Sequence, residues 1–147
     1  MSPPPSSSLL LLSPPLLVPL MLADAPSRLV IEGGTHAMGA PPFEFLQKTL
    51  LPVLERMGPK ISITLERHGF FPRGGGRIVV DIDPAPLRPI ECVTRGEFKA
   101  GKVEALVAGI PFDIADRELK AARKVLVEWP DEAFAPVQLP AENGPGN

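Results

Sequence analysis

Residues 68–78, HGFFPRGGGRI, are the segment of this chain whose residue types are best suited to chemistry; they are called the glycine motif below. Backbone amides in a run of glycines can approach an anion closely because no Cβ stands in the way. The flanking Arg73 and Arg77 are of the type that binds phosphate through paired hydrogen bonds. The same glycines also suit a tight turn. The motif therefore predicts either a phosphate cradle or a turn.

The residues on both sides favour the turn. Apolar and polar residues alternate over residues 61–66 and again over residues 77–83, as in strands with one buried face. A P-loop needs Lys and then Ser or Thr after its last glycine, and a helix to follow. Arg77 and a strand follow here, so no helix N-terminus is available for a pyrophosphate. We expect Gly74–Gly76 to form a turn or bulge between antiparallel strands.

The remaining elements predict an α/β protein. Pro52 is expected to kink its helix, because a proline cannot donate to the carbonyl of Lys48. The later helix has a stripe of apolar residues at 115, 119, 122 and 126, and Trp129 is expected to cap its small core. The expected elements are a strand at 28–32, a helix at 43–57, the hairpin, strand-like runs at 89–94 and 101–108, and a helix at 113–128.

Charge and cysteine content limit the partners. The formal net charge is −2, so any contact with nucleic acid depends on a local patch and not on a global field. Cys92 is the single cysteine, which leaves it without a disulfide partner and excludes a cysteine-based zinc site. A reducing compartment such as the cytoplasm is the default for this composition.

The first 23 residues carry no charged side chain. An apolar run before a small-residue site resembles a signal peptide, but a basic start is missing and several prolines interrupt the run. The uninterrupted apolar stretches are too short to span a membrane. We interpret residues 1–22 as a low-complexity or divergent leader that does not fold into the core, and we expect the ordered part to begin near Ala23.

The glycine motif resembles the signature of the RNA 3′-terminal phosphate cyclase family. That signature is a basic residue, Gly, two variable residues, Pro, a variable residue, three Gly, a variable residue and an aliphatic residue, and every fixed position is filled here. Residues 144–147, GPGN, resemble a block well inside the family's chain. Further blocks that look like family sequence, in family order, are residues 23–27, 33–35, 40–43 and 115–119.

The resemblance implies an α/β fold in which a large domain of repeated sheet-plus-two-helix units carries a smaller inserted α/β domain. Residues 23–88 would form one repeat unit of the large domain. Residues 89–147 would form the truncated start of the inserted domain. The chain thus looks like an internal fragment of a longer protein.

The resemblance also implies a ligase-type, RNA-processing reaction. A histidine attacks the α-phosphate of ATP, AMP passes to an RNA 3′-terminal phosphate, and the 2′-hydroxyl closes a 2′,3′-cyclic phosphate as AMP leaves. Covalent catalysis of this kind divides one difficult displacement into easier steps. The implied cofactors are ATP and a divalent metal, Mg or Mn, which neutralises phosphate charge. The implied partners are ATP and RNA 3′-phosphate ends, with no membrane, in the cytoplasm.

One family site carries over to this chain. Pro41 matches a proline that packs against the adenine of ATP, although it would equally suit the first position of a helix. The family's nucleophilic histidine lies beyond Asn147, so we assign no catalytic residue and no metal ligand, and we expect the chain alone to be inactive. A family glutamine near ATP would fall at about Pro14 and is absent.

The other candidates have simpler structural interpretations. His68, at a strand end, suits a hydrogen-bonding or surface role better than that of a nucleophile, which needs an orienting partner. His36 is expected to be a solvated loop residue. Arg73 and Arg77 suit exposed positions beside a hairpin.

Two other functions stay open. The family has a non-catalytic branch whose members serve as ribosome-assembly scaffolds in eukaryotic nucleoli. A stable α/β module without activity is also compatible with this sequence. The features that would decide, the nucleophilic histidine and an N-terminal acidic residue, lie outside this chain.

Overall fold

The computed structural model of the chain describes residues 9–36, 39–71 and 73–147. Residues 1–8, the first part of the predicted leader, and Pro72 of the glycine motif lie outside the described residues. The chain divides into two units, Met1–Cys92 and Val93–Asn147. Both contain helices and strands, which confirms the predicted α/β class.

The first unit combines helices with a three-stranded antiparallel sheet of order β1-β3-β2. The predicted hairpin is confirmed, because residues 60–67 pair with residues 77–83 in antiparallel register. In chain order the elements are α1 (Leu9–Met21), β1 (Ser27–Gly33), α2 (Phe43–Phe45), a π-helical turn (Leu46–Leu50), α3 (Leu51–Arg56), β2 (Lys60–Arg67) and β3 (Gly76–Asp83).

One face of this sheet carries the core of the first unit. Alternate residues of β2 and β3 lie on that face, and the period-two pattern of the sequence places isoleucine and valine there. Helical residues cover them. The buried members are Leu17, Met21, Phe43, Leu46, Leu51, Ile61, Ile63, Ile78, Val80 and Ile82.

Helix α1 overturns one expectation. Leu17 and Met21 are 1% and 2% exposed and belong to the core, so the prediction that the residues before Ala23 stay outside it is wrong. The two residues are four positions apart and share one helix face. Pro15 and Pro19 lie on the exposed side, where they do not interrupt this contact.

The kink expected at Pro52 takes the form of a wider helical turn. The N–H of Leu51 donates to the carbonyl of Leu46, five residues earlier, directly before the proline that cannot donate. A π-helical turn of this kind inserts one extra residue without ending the helix. The helical path therefore runs from Phe43 to Arg56.

The second unit is a strand–helix–strand arrangement. Strands β4 (Val103–Ala108) and β5 (Phe134–Leu139) pair in parallel, with α4 (Asp113–Val125) between them in the chain. Ala115 and Leu119 of α4 are buried against the sheet, as the predicted apolar stripe requires. Ala122, Leu126 and Trp129 pack against the same cluster, which confirms that Trp129 covers a small core.

The strand expected at residues 89–94 is wrong. The residues between β3 and β4 form no strand, and residues 91–100 are exposed. Apolar residues at alternate positions do not make a strand unless a neighbouring strand takes up the backbone hydrogen bonds. Among the described residues, no helix is long and apolar enough to cross a membrane.

Candidate functional site

The glycine motif forms the connection between β2 and β3. Gly74 and Gly75 have φ of 66° and 77°, in the left-handed region that residues with a Cβ rarely adopt. The N–H of Gly74 donates to the carbonyl of Phe70 at 2.7 Å. The register of β2 against β3 shifts at residues 65–67. The prediction of a turn or bulge at Gly74–Gly76 is thus confirmed.

Two other glycines allow the backbones of the motif and β1 to approach closely. A Cβ on Gly69 would lie 2.6 Å from the carbonyl oxygen of Gly33 and closer still to the amide nitrogen of Gly76. A Cβ on Gly76 would lie 2.5 Å from Cγ2 of Thr35. Real Cβ atoms essentially never come within 3.0 Å of such neighbours. Backbone conformation or close packing therefore explains why each of these four positions is glycine, without a bound ligand.

Thr35 ties the end of β1 to the glycine motif. Its side chain is completely buried, and Oγ1 accepts a hydrogen bond from the N–H of Gly69 at 2.9 Å. The carbonyl of Gly69 lies 3.3 Å from the same hydroxyl and accepts the N–H of Thr35 at 2.8 Å. These bonds join residues 34 positions apart in the chain.

His36 links this junction to α2. Nδ1 lies 2.9 Å from Oγ1 of Thr35, and Nε2 lies 3.1 Å from Oε2 of Glu44. A carboxylate only accepts hydrogen bonds, so Nε2 is the protonated nitrogen and donates. The side chain of His36 is 14% exposed, and the expectation of a solvated loop residue is wrong. Its partner Glu44 lies in α2, and sequence periodicity does not predict a contact between a loop residue and a helix.

The electrostatics of Glu44 and His68 follow from this arrangement. The hydrogen bond from His36 holds the pKa of the Glu44 carboxyl below its usual value, against the opposing effect of burial. The ring of His68 stacks on that of His36, with centroids 5.5 Å apart, and on that of Phe70. Burial and the neighbouring His36 both lower the pKa of His68. His68 is therefore neutral at neutral pH, in keeping with the predicted structural role.

The two arginines of the motif differ in their surroundings. Arg77 donates to Oε2 of Glu66 and to Oε1 of Glu32, each at 2.6 Å. The two carboxylates raise the pKa of Arg77, and their bonds to it connect the three strands. This is a structural role, although the sequence predicts only an exposed position beside the hairpin and not the connection. Arg73 is exposed, as the structural interpretation predicts.

Pro41 lies two residues before α2. Pro42 is the N-terminal cap, with extended φ and ψ of −70° and 162°, and Phe43 is the first helical residue. The interpretation of Pro41 as the first helical residue is therefore wrong, because a following proline pushes the preceding residue out of the helical region. Pro41 is half-buried, which leaves part of its ring open to a ligand. Contact with adenine stays a prediction.

Metal and ligand sites elsewhere in the described residues are scarce. No group of three or more His, Cys, Asp and Glu side chains suited to a metal ion occurs there. A cavity of about 420 Å³ lies where β1 and β2 begin and β3 ends, at the far end of the sheet from Gly76. Arg28, Lys60, Glu55 and Asp81 are among its lining residues, so its charges are mixed and favour no charged ligand class.

Comparison with known sequences gives the family. A sequence model described as "RNA 3′-terminal phosphate cyclase" matches residues 5–138. The chain belongs to the RNA 3′-terminal phosphate cyclase family. The membership predicted from the glycine motif is confirmed.

Similar curated proteins are named RNA 3′-terminal phosphate cyclase. That of Koribacter versatilis (strain Ellin345) is 48% identical over 135 residues, which cover 90% of this chain and 37% of the relative. Those of Ectopseudomonas mendocina and Pseudomonas fluorescens are 47% and 45% identical over 132 residues, which cover 90% of this chain and 38% of each relative. This chain thus spans less than two-fifths of the length of these cyclases.

Sequence reasoning missed the contacts by which residues 33–36 of this cyclase-family segment join the glycine motif and α2. Thr35 was recognised as family sequence, but its bonds to Gly69 and the pairing of His36 with Glu44 were not expected. The one available signal was the placement of Thr35 directly after two glycines that precede a loop. This placement predicts that the chain changes direction at Thr35, but it does not predict the contact with Gly69.

Proposed function

We propose that this chain is part of an ATP-dependent enzyme that converts an RNA 3′-terminal phosphate to a 2′,3′-cyclic phosphate. The observation that carries the proposal is 48% identity, over 90% of the chain, to a protein named RNA 3′-terminal phosphate cyclase. In the proposed reaction a histidine of the longer protein displaces pyrophosphate from ATP. AMP then passes to the RNA phosphate, and the 2′-hydroxyl attacks that phosphorus and releases AMP.

The proposed contribution of this chain is a surface for adenine. Pro41 presents a flat apolar ring, and Pro42 fixes the backbone next to it. The charged groups nearest to it in the chain do not suit the phosphates, because Glu44 is acidic and already bonded to His36. The divalent Mg or Mn ion neutralises phosphate charge when bound. We assign it no ligand in this chain, because the described residues contain no group of three or more His, Cys, Asp and Glu side chains that could hold a metal ion.

The proposed domain assignment gives residues 23–88 to a repeat unit of the large domain and residues 89–147 to the inserted domain. The division of the chain between Cys92 and Val93 supports a boundary in this region. The proposed compartment is the cytoplasm, which suits a protein chain with one exposed, free cysteine.

The 147-residue chain alone is expected not to adenylylate itself. A phosphoramidate needs a free imidazole nitrogen in line with the α-phosphate. Both nitrogens of His36 lie within hydrogen-bonding distance of partners, and the ring of His68 packs against the rings of His36 and Phe70. Incubation with α-labelled ATP and magnesium or manganese should leave no label on the denatured chain, whereas the Koribacter versatilis cyclase, assayed in parallel, should be labelled.

Label on the chain that disappears when His68 is replaced by Gln would contradict this expectation and the structural role of His68. The function itself is tested with a version of the chain extended to the length of its cyclase relatives, of which the match covers 37–38%. That version should make the 3′ end of an RNA 3′-phosphate resistant to phosphatase when ATP is present. If it neither takes up label nor protects the RNA end, the non-catalytic scaffold is the better interpretation.

A further inference from the structure

We propose that His36 and Glu44 are positioning residues for the nucleotide, because their hydrogen bond fixes Pro41, which lies between them in the sequence. The inference rests on the proposed contact of Pro41 with the adenine of ATP. It adds to that contact a device, built from this chain's own side chains, that holds the proline in place.

His36 is anchored on the glycine motif. Its N–H donates to the carbonyl of Gly69 at 3.2 Å, and its carbonyl accepts the N–H of Phe71 at 3.3 Å. Its ring stacks on the ring of the buried Phe70, with centroids 5.0 Å apart. The hydrogen bond between Nδ1 and Oγ1 of the fully buried Thr35 fixes the rotation of the ring. The direction in which Nε2 donates is therefore set by the motif.

Glu44 is anchored differently. It lies in the first turn of α2, next to Phe43, which is 4% exposed and part of the core. The cap residue Pro42 makes no side-chain hydrogen bond to this turn, so the start of the helix lacks the usual stabilisation against fraying. The hydrogen bond from His36 to Glu44 stabilises this turn in place of a cap.

Pro41 lies three residues before Glu44 and is joined to the helix through Pro42. Each proline ring fixes its own φ near −65°, so few rotations separate the Pro41 ring from the helix start. A helix start that moves carries the Pro41 ring with it. The orientation of the proposed adenine surface thus depends on where His36 holds Glu44.

The charge of this hydrogen-bonded pair depends on pH in a defined direction. The described titratable groups that act on it are His36, Glu44 and the stacked His68. Because His36 lowers the pKa of Glu44, the carboxylate persists to lower pH than an ordinary glutamate and is lost as the pH falls through that lowered pKa. Replacement of Glu44 by Gln keeps an oxygen that can accept from His36 and removes this titration.

The test is ATP titration of the 147-residue chain, followed by the NMR shifts of the Gly39 and Phe43 amides, which detect weak binding. Glu44→Ala should weaken ATP binding about tenfold, the size expected for a lost charge-assisted hydrogen bond. Glu44→Gln should restore most of the affinity at neutral pH. Gln47→Ala, at an exposed position of the same helical segment, is the matched control and should bind like wild type.

Three results would overturn the proposal. Glu44→Ala that binds ATP like wild type, while Pro41→Ala binds weakly, would remove the positioning role and leave the adenine contact intact. Glu44→Gln that binds as weakly as Glu44→Ala, with an unchanged thermal midpoint, would show that the hydrogen bond is not what matters. A wild-type chain whose Gly39 and Phe43 signals do not respond to ATP would overturn the Pro41 contact itself, and the positioning role with it.

Discussion

Gly69→Ala is expected to destabilise the first unit by more than about 4 kcal/mol, a loss typical of severe steric conflict. The added Cβ would lie 2.6 Å from the carbonyl oxygen of Gly33 and closer to the amide nitrogen of Gly76. Both neighbours are backbone atoms, so no side-chain rotation relieves the clash. The strands must separate, and the hydrogen bonds between Thr35 and Gly69 are lost with them. Urea unfolding without nucleotide measures the effect.

Gly75→Ala is the matched control within the same motif. Its Cβ would meet no atom within 4 Å, so the change is strained only by the φ of 77°. Left-handed backbone costs an L residue about 1–2 kcal/mol. If Gly69→Ala proves as mild as Gly75→Ala, the close approach of β1 to the motif is not what requires the glycine. If both variants keep their stability but lose nucleotide binding, the phosphate-cradle interpretation replaces the turn.

Local patterns carried most of the correct predictions. The hairpin follows from alternation on both sides of the glycine motif, because one strand face is buried and the other is wet. Helix α4 follows from an apolar stripe whose residues Ala115 and Leu119 do pack against the sheet. In both cases the residues that decide the structure are close in sequence, and a short window contains the whole signal.

The missed features depend on residues that are distant in sequence. The junction of Thr35 with Gly69 spans 34 positions, and the pairing of His36 with Glu44 joins a loop to a helix. No period or composition marks such pairs. The loop position of His36 also favours solvation, which is the opposite of what the structure shows. The resemblance to the cyclase family located the blocks but gave no contact between them.

The sequence does not predict that helix α1 packs into the core, because prolines disfavour a helix. A proline inside a helix removes one hydrogen bond and crowds the preceding turn, a cost of about 3 kcal/mol in isolation. Burial of Leu17 and Met21 offsets part of that cost, since a buried leucine or methionine side chain contributes about 1.5–3 kcal/mol. Tertiary packing thus works against local propensity in this segment.

Leu17→Asp is therefore expected to destabilise the first unit by about 4 kcal/mol or more, since an aspartate there is buried without a partner or leaves a cavity. Leu17 is 1% exposed and lies in the core with Met21 and residues of β2 and β3. Such a loss is a large part of the 5–15 kcal/mol that stabilises a typical domain. Trp129, the only tryptophan, lies in the second unit, so its fluorescence does not report on this change. The measurement is instead hydrogen exchange at the amide of Val80, which lies in the central strand β3.

Leu16→Asp is the control that separates packing from helix propensity. It makes the same substitution one residue earlier in the same helix, at a side chain that is 44% exposed. Because both variants introduce the same helix-disfavouring residue, the difference between them measures the buried contact of Leu17. We expect exchange at Val80 to accelerate strongly in Leu17→Asp and little in Leu16→Asp. Equal, small accelerations would mean that α1 contributes nothing to the core and that residues 1–22 behave as the leader that the sequence predicted.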